Sequence, residues 1–330
     1  MSSAHPLATP AVRHLQVDPE SDGQRLDNFL FRELKGVPKT LVYRVIRSGE
    51  VRLNKGRVQA DTRVHAGDIL RIPPLRVSTV DEAAVRAVPA RDFPVLLEDD
   101  HLLAIDKPAG VAVHGGSGVS FGVIEQLCRA RPEARLLELV HRLDRETSGL
   151  LLIAKKKSAL RHLQDQFRER STVKTYLALV VGEWPASRKV VDVPLEKYLL
   201  PDGERRVRVT LADHPDAMRS ISLVRRLGRV QPPITGGEWP QAMTLLAVTI
   251  KTGRTHQIRV HLAHHGHPIV GDDKYGHFPL NRELARNGLT RMFLHAWQLK
   301  FNHPADQRVI SLEAPLPQEL MQWANVKDFF

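Results

Sequence analysis

One carboxylate, Asp144, stands among two arginines and a histidine in the stretch His141-Arg142-Leu143-Asp144-Arg145-Glu146-Thr147-Ser148-Gly149. An ionised carboxylate can bond to an electron-poor centre or accept a proton, so chemistry is expected here. Two later stretches carry groups that could join it. Lys174-Thr175-Tyr176 offers a phenol, and Gly253-Arg254-Thr255-His256-Gln257-Ile258-Arg259-Val260-His261 offers cations and imidazoles.

The surrounding elements must hold these groups still. Apolar residues 136–140 precede the Asp144 stretch and residues 150–154 follow it. Short apolar runs bounded by turn signals read as buried strands, and a loop between core strands is a rigid mount for reactive side chains. Residues 173–181 read as a strand with Leu177, Leu179 and Val181 on one face and Lys174, Tyr176 and Ala178 on the other. Residues 158–170 read as a helix buried along Leu160, Leu163 and Phe167. A strand over 242–250 runs into Lys251-Thr252-Gly253-Arg254. Thr255 is then a candidate N-cap for a short helix over 256–265, which Gly266 closes. Helical spacing puts Arg259 at the edge of that helix's buried face, where it can wall a cleft. Residues 203–208 read as a basic hairpin and 232–240 as a Gly/Pro-rich loop. Many strands with few intervening helices argue for an α+β fold on a mixed, mostly antiparallel sheet.

Composition narrows the partners. The chain has 330 residues, 42% of them apolar, which suits two domains with a sizeable core. No apolar run approaches the roughly 18 residues of a membrane span. A single cysteine, Cys128, excludes an internal disulfide and a Cys-rich zinc site, and points to a reducing cytoplasm. The 48 basic residues against 37 acidic ones give a net charge of +11, which favours a polyanionic partner. Residues 25–76 hold 12 Lys or Arg against 5 Asp or Glu, a balance of +7 in one segment.

That segment belongs to a module over 22–77. A helix opens at Arg25-Leu26-Asp27-Asn28-Phe29-Leu30, and a second one over 39–48 ends at Gly49. Short strands are expected at 50–54, 57–58 and 69–72. Arg44 and Arg47 share the helix face away from Val42, Val45 and Ile46, and Arg52 and Lys55 lie just beyond. A solvated helix face would look similar, but this density of cations is what a phosphate-binding surface needs. The module resembles an S4 domain, a small RNA-binding fold, in its Gly23-Gln24-Arg25-Leu26-Asp27 opening, in Gly49-Glu50-Val51-Arg52-Leu53-Asn54 and in its Gly67-Asp68 turn. Residues 1–21 read as a flexible tail, 78–92 as a linker and 93–330 as the second, catalytic domain.

The stretch His141 to Gly149 is similar to the signature of the RluA branch of the pseudouridine synthases. Lys174-x-Tyr176-x-Ala178 and Gly253 to Arg259 match later motifs of that branch. Gly271-Asp272-Asp273-Lys274-Tyr275-Gly276 and Leu294-His295-Ala296 fit as well. The likeness runs from residue 22 to 315 and is nearest to members that modify uridines of 23S ribosomal RNA. It implies an isomerase acting on uridine within RNA. The N-glycosidic bond breaks, the uracil turns, and C5 joins the sugar in place of N1. By this resemblance Asp144 works on the ribose, by attack at C1′ or by removal of a C2′ proton. Arg259 is its partner, aiming the carboxylate rather than ionising it, since a free Asp has a pKa near 3.9. Tyr176 stacks on the flipped uracil and is a candidate base for the C5 proton. A phenol is only about 0.1% ionised at pH 7, so that second role needs a nearby cation, and Lys174 shares its strand face. Arg142 is the candidate wedge for the space a flipped nucleotide leaves; phosphate contact is its plainer role.

Other patterns fail. His114-Gly115-Gly116 resembles an esterase oxyanion-hole segment, but the chain has no Gly-x-Ser-x-Gly elbow. His256, His261, His264, His265 and His267 look like metal ligands, yet the Glu of His-Glu-x-x-His is missing, so no metal is expected. The isomerisation calls for no cofactor. We expect a cytoplasmic monomer that works on 23S rRNA or a large-subunit assembly intermediate. The competing readings are a non-catalytic S4-type assembly factor and a synthase of the same branch acting on tRNA.

Overall fold

The computed structural model describes residues 12–34, 37, 39–75, 88–115, 121–231 and 242–324. The chain forms two compact units, Met1–Pro89 and Ala90–Phe330.

In the first unit, β1 (Arg13–Gln16) leads through a short 3-10 turn to α1 (Leu26–Glu33) and α2 (Lys39–Arg47). Next come β2 (Arg52–Leu53), β3 (Gly56–Arg57) and β4 (Ile69–Ile72), in an antiparallel sheet of order β1-β4-β2-β3. The apolar face of α1 (Leu26, Phe29, Leu30) packs with Val42, Val45 and Ile46 of α2 and with Leu70 and Ile72 of β4. Each such side chain, fully buried, contributes about 1.5–3 kcal/mol. Gly49, at φ +75, ends α2 in the left-handed conformation expected of it. Residues 13–16, within the tail expected over 1–21, are structured. Arg13–Gln16 is a strand whose backbone pairs with β4, although its side chains are mostly exposed. An exposed edge strand carries little apolar pattern, so its sequence reads as tail. The linker over 78–92 and the loop over 232–240 fall largely or wholly outside the described residues.

The second unit is built on a ten-stranded sheet. Its strands are β5 (Val95–Glu98), β6 (Leu102–Lys107), β7 (Glu138–Leu139), β8 (Ser148–Ala154), β9 (Val173–Val181), β10 (Val190–Asp192), β13 (Ile221–Val230), β14 (Met243–Ile250), β15 (Leu294–Asn302) and β16 (Val309–Glu313). The order is β10-β13-β14-β9-β15-β8-β6-β5, with β16 beside β15 and β7 beside β8. Only β8 and β15 run parallel; the other pairs are antiparallel. A separate hairpin, β11 (Leu195–Leu199) and β12 (Arg205–Val209), realises the basic hairpin expected near 203–208. The helices are α3 (Val123–Ala130), α4 (Lys157–Glu169), α5 (Gln257–His264), α6 (Phe278–Arg286) and α7 (Gln318–Ala324). This is the α+β fold, with a mixed and mostly antiparallel sheet, that the sequence implies.

The sheet centre is buried on both faces. Every residue of β8 is buried, and β9 is buried from Leu177 to Val181 without alternation. Both faces of the strand expected at 173–181 are therefore covered over residues 177–181. The covered faces leave Tyr176, near the strand's start, as its partly open position.

Candidate active site

Asp144 lies in the connection between β7 and β8, which backbone and side-chain bonds make rigid. The Val140 amide donates to the Leu152 carbonyl at 3.1 Å. One step on, the Leu152 amide donates to His141 Nε2 at 3.1 Å, so a side chain continues the ladder. Burial, and then the charge of Lys174, push His141 down to about 3, which leaves its ring a neutral acceptor. The ring also stacks on Phe167 with centroids 4.7 Å apart. The Thr147 amide closes a turn on the Asp144 carbonyl at 3.1 Å.

Two further residues pin this turn. Lys107 is fully buried, and its ammonium donates to the carbonyls of Pro108, Val111 and Arg145 at 2.8, 2.8 and 3.1 Å. Burial, helped by Arg291, pushes Lys107 down to about 7. Gly149 sits at φ +108 where β8 meets β15, and a Cβ there would lie 2.3 Å from the Ala296 carbonyl oxygen. The glycine that ends the motif is thus a requirement of the parallel strand contact.

The sheet and α5 bring the other groups to Asp144. A small open cleft of about 90 Å³ is walled by Arg142, Asp144, Tyr176, Arg254, His256 and Arg259, among others, and it adjoins an outer groove of about 490 Å³ that His114, Asp273 and Lys274 also line. The three stretches singled out in the sequence therefore converge. Asp144 keeps 28% of its side chain exposed, and Arg142 is exposed at the mouth.

Arg259 differs from expectation. It is buried, not at an edge, and its guanidinium is held side-on by Asp272. Nε donates to Asp272 Oδ2 at 2.7 Å and Nη2 to Oδ1 at 2.6 Å. Nη2 also reaches Asp273 at 2.9 Å, while Nη1 stands 3.8 Å from Asp144 Oδ2. Burial opposes the charge on Arg259, but the hydrogen bonds and charge of Asp272 outweigh it and hold the guanidinium above its ordinary pKa. Burial likewise works against the Asp272 carboxylate, and Arg259 more than offsets it, leaving that carboxyl below its usual range.

Tyr176 has no cation supplied by Lys174. That ammonium donates to Thr172 Oγ1 at 3.0 Å and lies 5.1 Å from the Phe167 ring centroid. Burial, and then the charge of Asp144, push the Tyr176 phenol well above its usual value. The ring is a neutral surface beside the carboxylate, which suits stacking better than proton abstraction.

The remaining motif residues hold the loop ahead of α5. Gln257 accepts from Thr252 Oγ1 at 2.7 Å and from the Arg254 amide at 3.1 Å, and donates to the Ile221 carbonyl at 2.9 Å. The residue capping α5 is His256, not Thr255, and it stands at φ +52. Asp272, Tyr275 and Lys107 are neighbours of the site to which pattern reasoning gives no role, and it weighs His256 only as a metal-ligand look-alike. The available signal was the Gly271 to Gly276 motif, matched as a string without roles.

Arg44, Arg47, Arg52 and Lys55 belong to the first unit, with Arg44, Arg47 and Lys55 exposed. Arg52 lies opposite Arg57 on one side and Arg71 on the other, so three arginines form a row across β4, β2 and β3. Directly opposed like charges are unfavourable unless an anion answers them. Among the described residues, no helix is long and apolar enough to cross a membrane.

Comparison with known proteins agrees with both units. Residues 24–70 match the S4 domain, and residues 101–264 match the family described as RNA pseudouridylate synthase. The chain is 49% identical over 318 residues to the ribosomal large subunit pseudouridine synthase C of Escherichia coli (strain K12), covering 94% of this chain and 95% of that protein. The enzyme of the same name from Pasteurella multocida (strain Pm70) is 48% identical over 314 residues, covering 94% and 92%. Among solved structures, Human RNA Pseudouridylate Synthase Domain Containing 1 superposes with a TM-score of 0.56 at 26% identity, covering 68% of this chain and 84% of that one. The chain belongs to the RNA pseudouridylate synthase family and is an isomerase that converts uridine into pseudouridine.

Proposed function

We propose that this enzyme acts on uridines of 23S rRNA, free or in a large-subunit assembly intermediate, as a cytoplasmic monomer. The names of the relatives, at 48–49% identity over nearly the whole chain, support the large-subunit target. Residues 22–77 supply RNA affinity, 78–92 connect, and 93–330 carry the chemistry; the division of the chain at Pro89 favours this arrangement.

The observation that carries the reaction is the partly exposed Asp144 carboxylate, on a pinned turn, in an open cleft beside Tyr176 and Arg259. A uridine inside a stem leaves the stack to enter it, at a cost of a few kcal/mol, and Arg142 at the mouth fills the gap. Asp144 acts on the ribose as the C1′–N1 bond breaks. Tyr176 supports the uracil ring while it turns, and Arg259 keeps the carboxylate aimed. C1′–C5 then forms, C5 loses its proton and N1 regains one, so the product is an isomer of the substrate.

Tritium release from 23S transcript labelled at uridine C5 tests this reading. The wild type releases tritium, and Asp144→Asn releases none while binding RNA as tightly. Full release by Asp144→Asn would remove the carboxylate from the mechanism. Release from tRNA alone would move the substrate to another RNA.

A further inference from the structure

We propose that His256 is a positioning residue for Asp144, fixed with its proton on Nε2 by a hydrogen-bond chain from the β11–β12 hairpin. The chain starts at a group with no choice of role. The Val207 backbone amide donates to the Tyr275 hydroxyl oxygen at 3.0 Å. The hydroxyl keeps its own hydrogen for donation, and we assign His256 Nδ1, 2.8 Å away, as its acceptor. A ring nitrogen that accepts carries no proton, so the neutral ring bears its hydrogen on Nε2. Nε2 faces Asp144 Oδ2 at 3.9 Å, the same oxygen that Arg259 Nη1 approaches at 3.8 Å.

Three observations support a positioning role. His256 occupies a left-handed backbone conformation, φ +52 and ψ +19, which a non-glycine residue adopts at a cost. Its ring is packed against Tyr275 with centroids 5.5 Å apart, so its orientation is held. Both approaches to Oδ2 exceed hydrogen-bond length. The carboxylate is therefore flanked but unlocked, free to advance on a ribose and to close onto either donor.

The neutral form matters. Burial pushes His256 down, Asp144 pulls it up, and Arg259 and Lys274 push it down again. Asp272 adds a smaller upward pull, and His114 and Asp273 line the outer cleft. A protonated ring would clamp Asp144 in an ion pair and hold it back from the sugar. Activity should thus fall on the acid side as His256 takes a proton.

This inference rests on Asp144 being the reacting carboxylate, and the experiment separates the two. Single-turnover tritium release and RNA affinity are measured across pH for the wild type, Tyr275→Phe, His256→Asn and Asp144→Asn. Asn tolerates the left-handed backbone but is too short to bridge Tyr275 and Asp144. His256→Asn should slow turnover by about 10- to 100-fold, the scale of a small misplacement, with affinity unchanged and the acid limb gone. Tyr275→Phe removes the donor that favours the neutral ring, so the acid limb should move to higher pH. Wild-type rates and pH profiles in both variants, with Asp144→Asn inactive, would overturn the role of His256 alone. An active Asp144→Asn would overturn the reading beneath it.

Discussion

Arg259 gives one edge of its guanidinium, Nε and Nη2, to Asp272, at 2.7 and 2.6 Å, and only its last nitrogen to Asp144, at 3.8 Å. The arginine that faces the reacting carboxylate is thus anchored from behind by a second, buried one. Removing that anchor leaves a buried cation with only the exposed Asp273, at 2.9 Å, and the more distant Asp144. Asp272→Ala should lower stability by about 3–5 kcal/mol and reduce turnover in the fraction that folds. Asp272→Asn keeps one acceptor and should lose less of both. Urea denaturation beside tritium release checks this. Equal stability of Asp272→Ala and wild type would mean that Asp273 and Asp144 suffice to hold the arginine.

Gly149 is required by contact, and Gly110 only by conformation. Both have positive φ, but a Cβ at Gly149 meets Ala296 backbone at 2.3 Å, while one at Gly110 meets nothing within 4 Å. Gly149→Ala combines backbone strain with overpacking and should cost about 2–4 kcal/mol. Gly110→Ala should cost about 1 kcal/mol from strain alone. Thermal melts of the two variants decide it, and similar losses would contradict the close approach of β8 and β15.

The sequence made the reactive turn legible because its neighbours are strongly patterned. The apolar run of β8 and the charged motif before it force a loop on a buried strand. The meeting of Asp144, Tyr176 and Arg259 followed from family likeness, not from spacing, since nothing local relates residues so far apart. What stayed hidden had weak local signals. β13 carries Arg225, Arg226 and Arg229 and a bulge at Leu227, so it shows no clean period of two. Edge strand β1 is exposed and reads as tail. The anchoring of Arg259 by Asp272 spans a turn whose shape only the fold supplies.

The arginine row of the first unit predicts a salt effect. Arg52 and Arg57 oppose each other across β2 and β3. In the full chain, Arg52→Ala with Arg57→Ala should weaken RNA binding and make the slope of log affinity against log salt shallower by roughly 1–2. Stability should hold or rise, because opposed like charges are relieved. Filter binding at several salt concentrations measures the slope. An unchanged slope would place the phosphate contacts elsewhere.

Asp106, on β6 beside Lys107, predicts a stability change with pH. Burial raises its carboxyl from 3.8 to about 6, with Arg291 and Lys107 opposing and Glu319 reinforcing. A folded value above the unfolded one means that the protein prefers the protonated acid. Its contribution is fully favourable below about pH 4 and is lost as pH rises through about 6. At about 1.4 kcal/mol per unit, the ionised group costs the fold up to about 3 kcal/mol, reduced by its partial exposure. Asp106→Asn should therefore raise Tm at pH 8 and leave it nearly unchanged at pH 4. Because Asp106 is outside the cleft of Asp144 and Tyr176, tritium release at 25 °C should stay near wild type. A variant less stable than wild type at pH 8 would mean that the ionised carboxylate serves Arg291 as a needed partner, and that burial is not its governing influence.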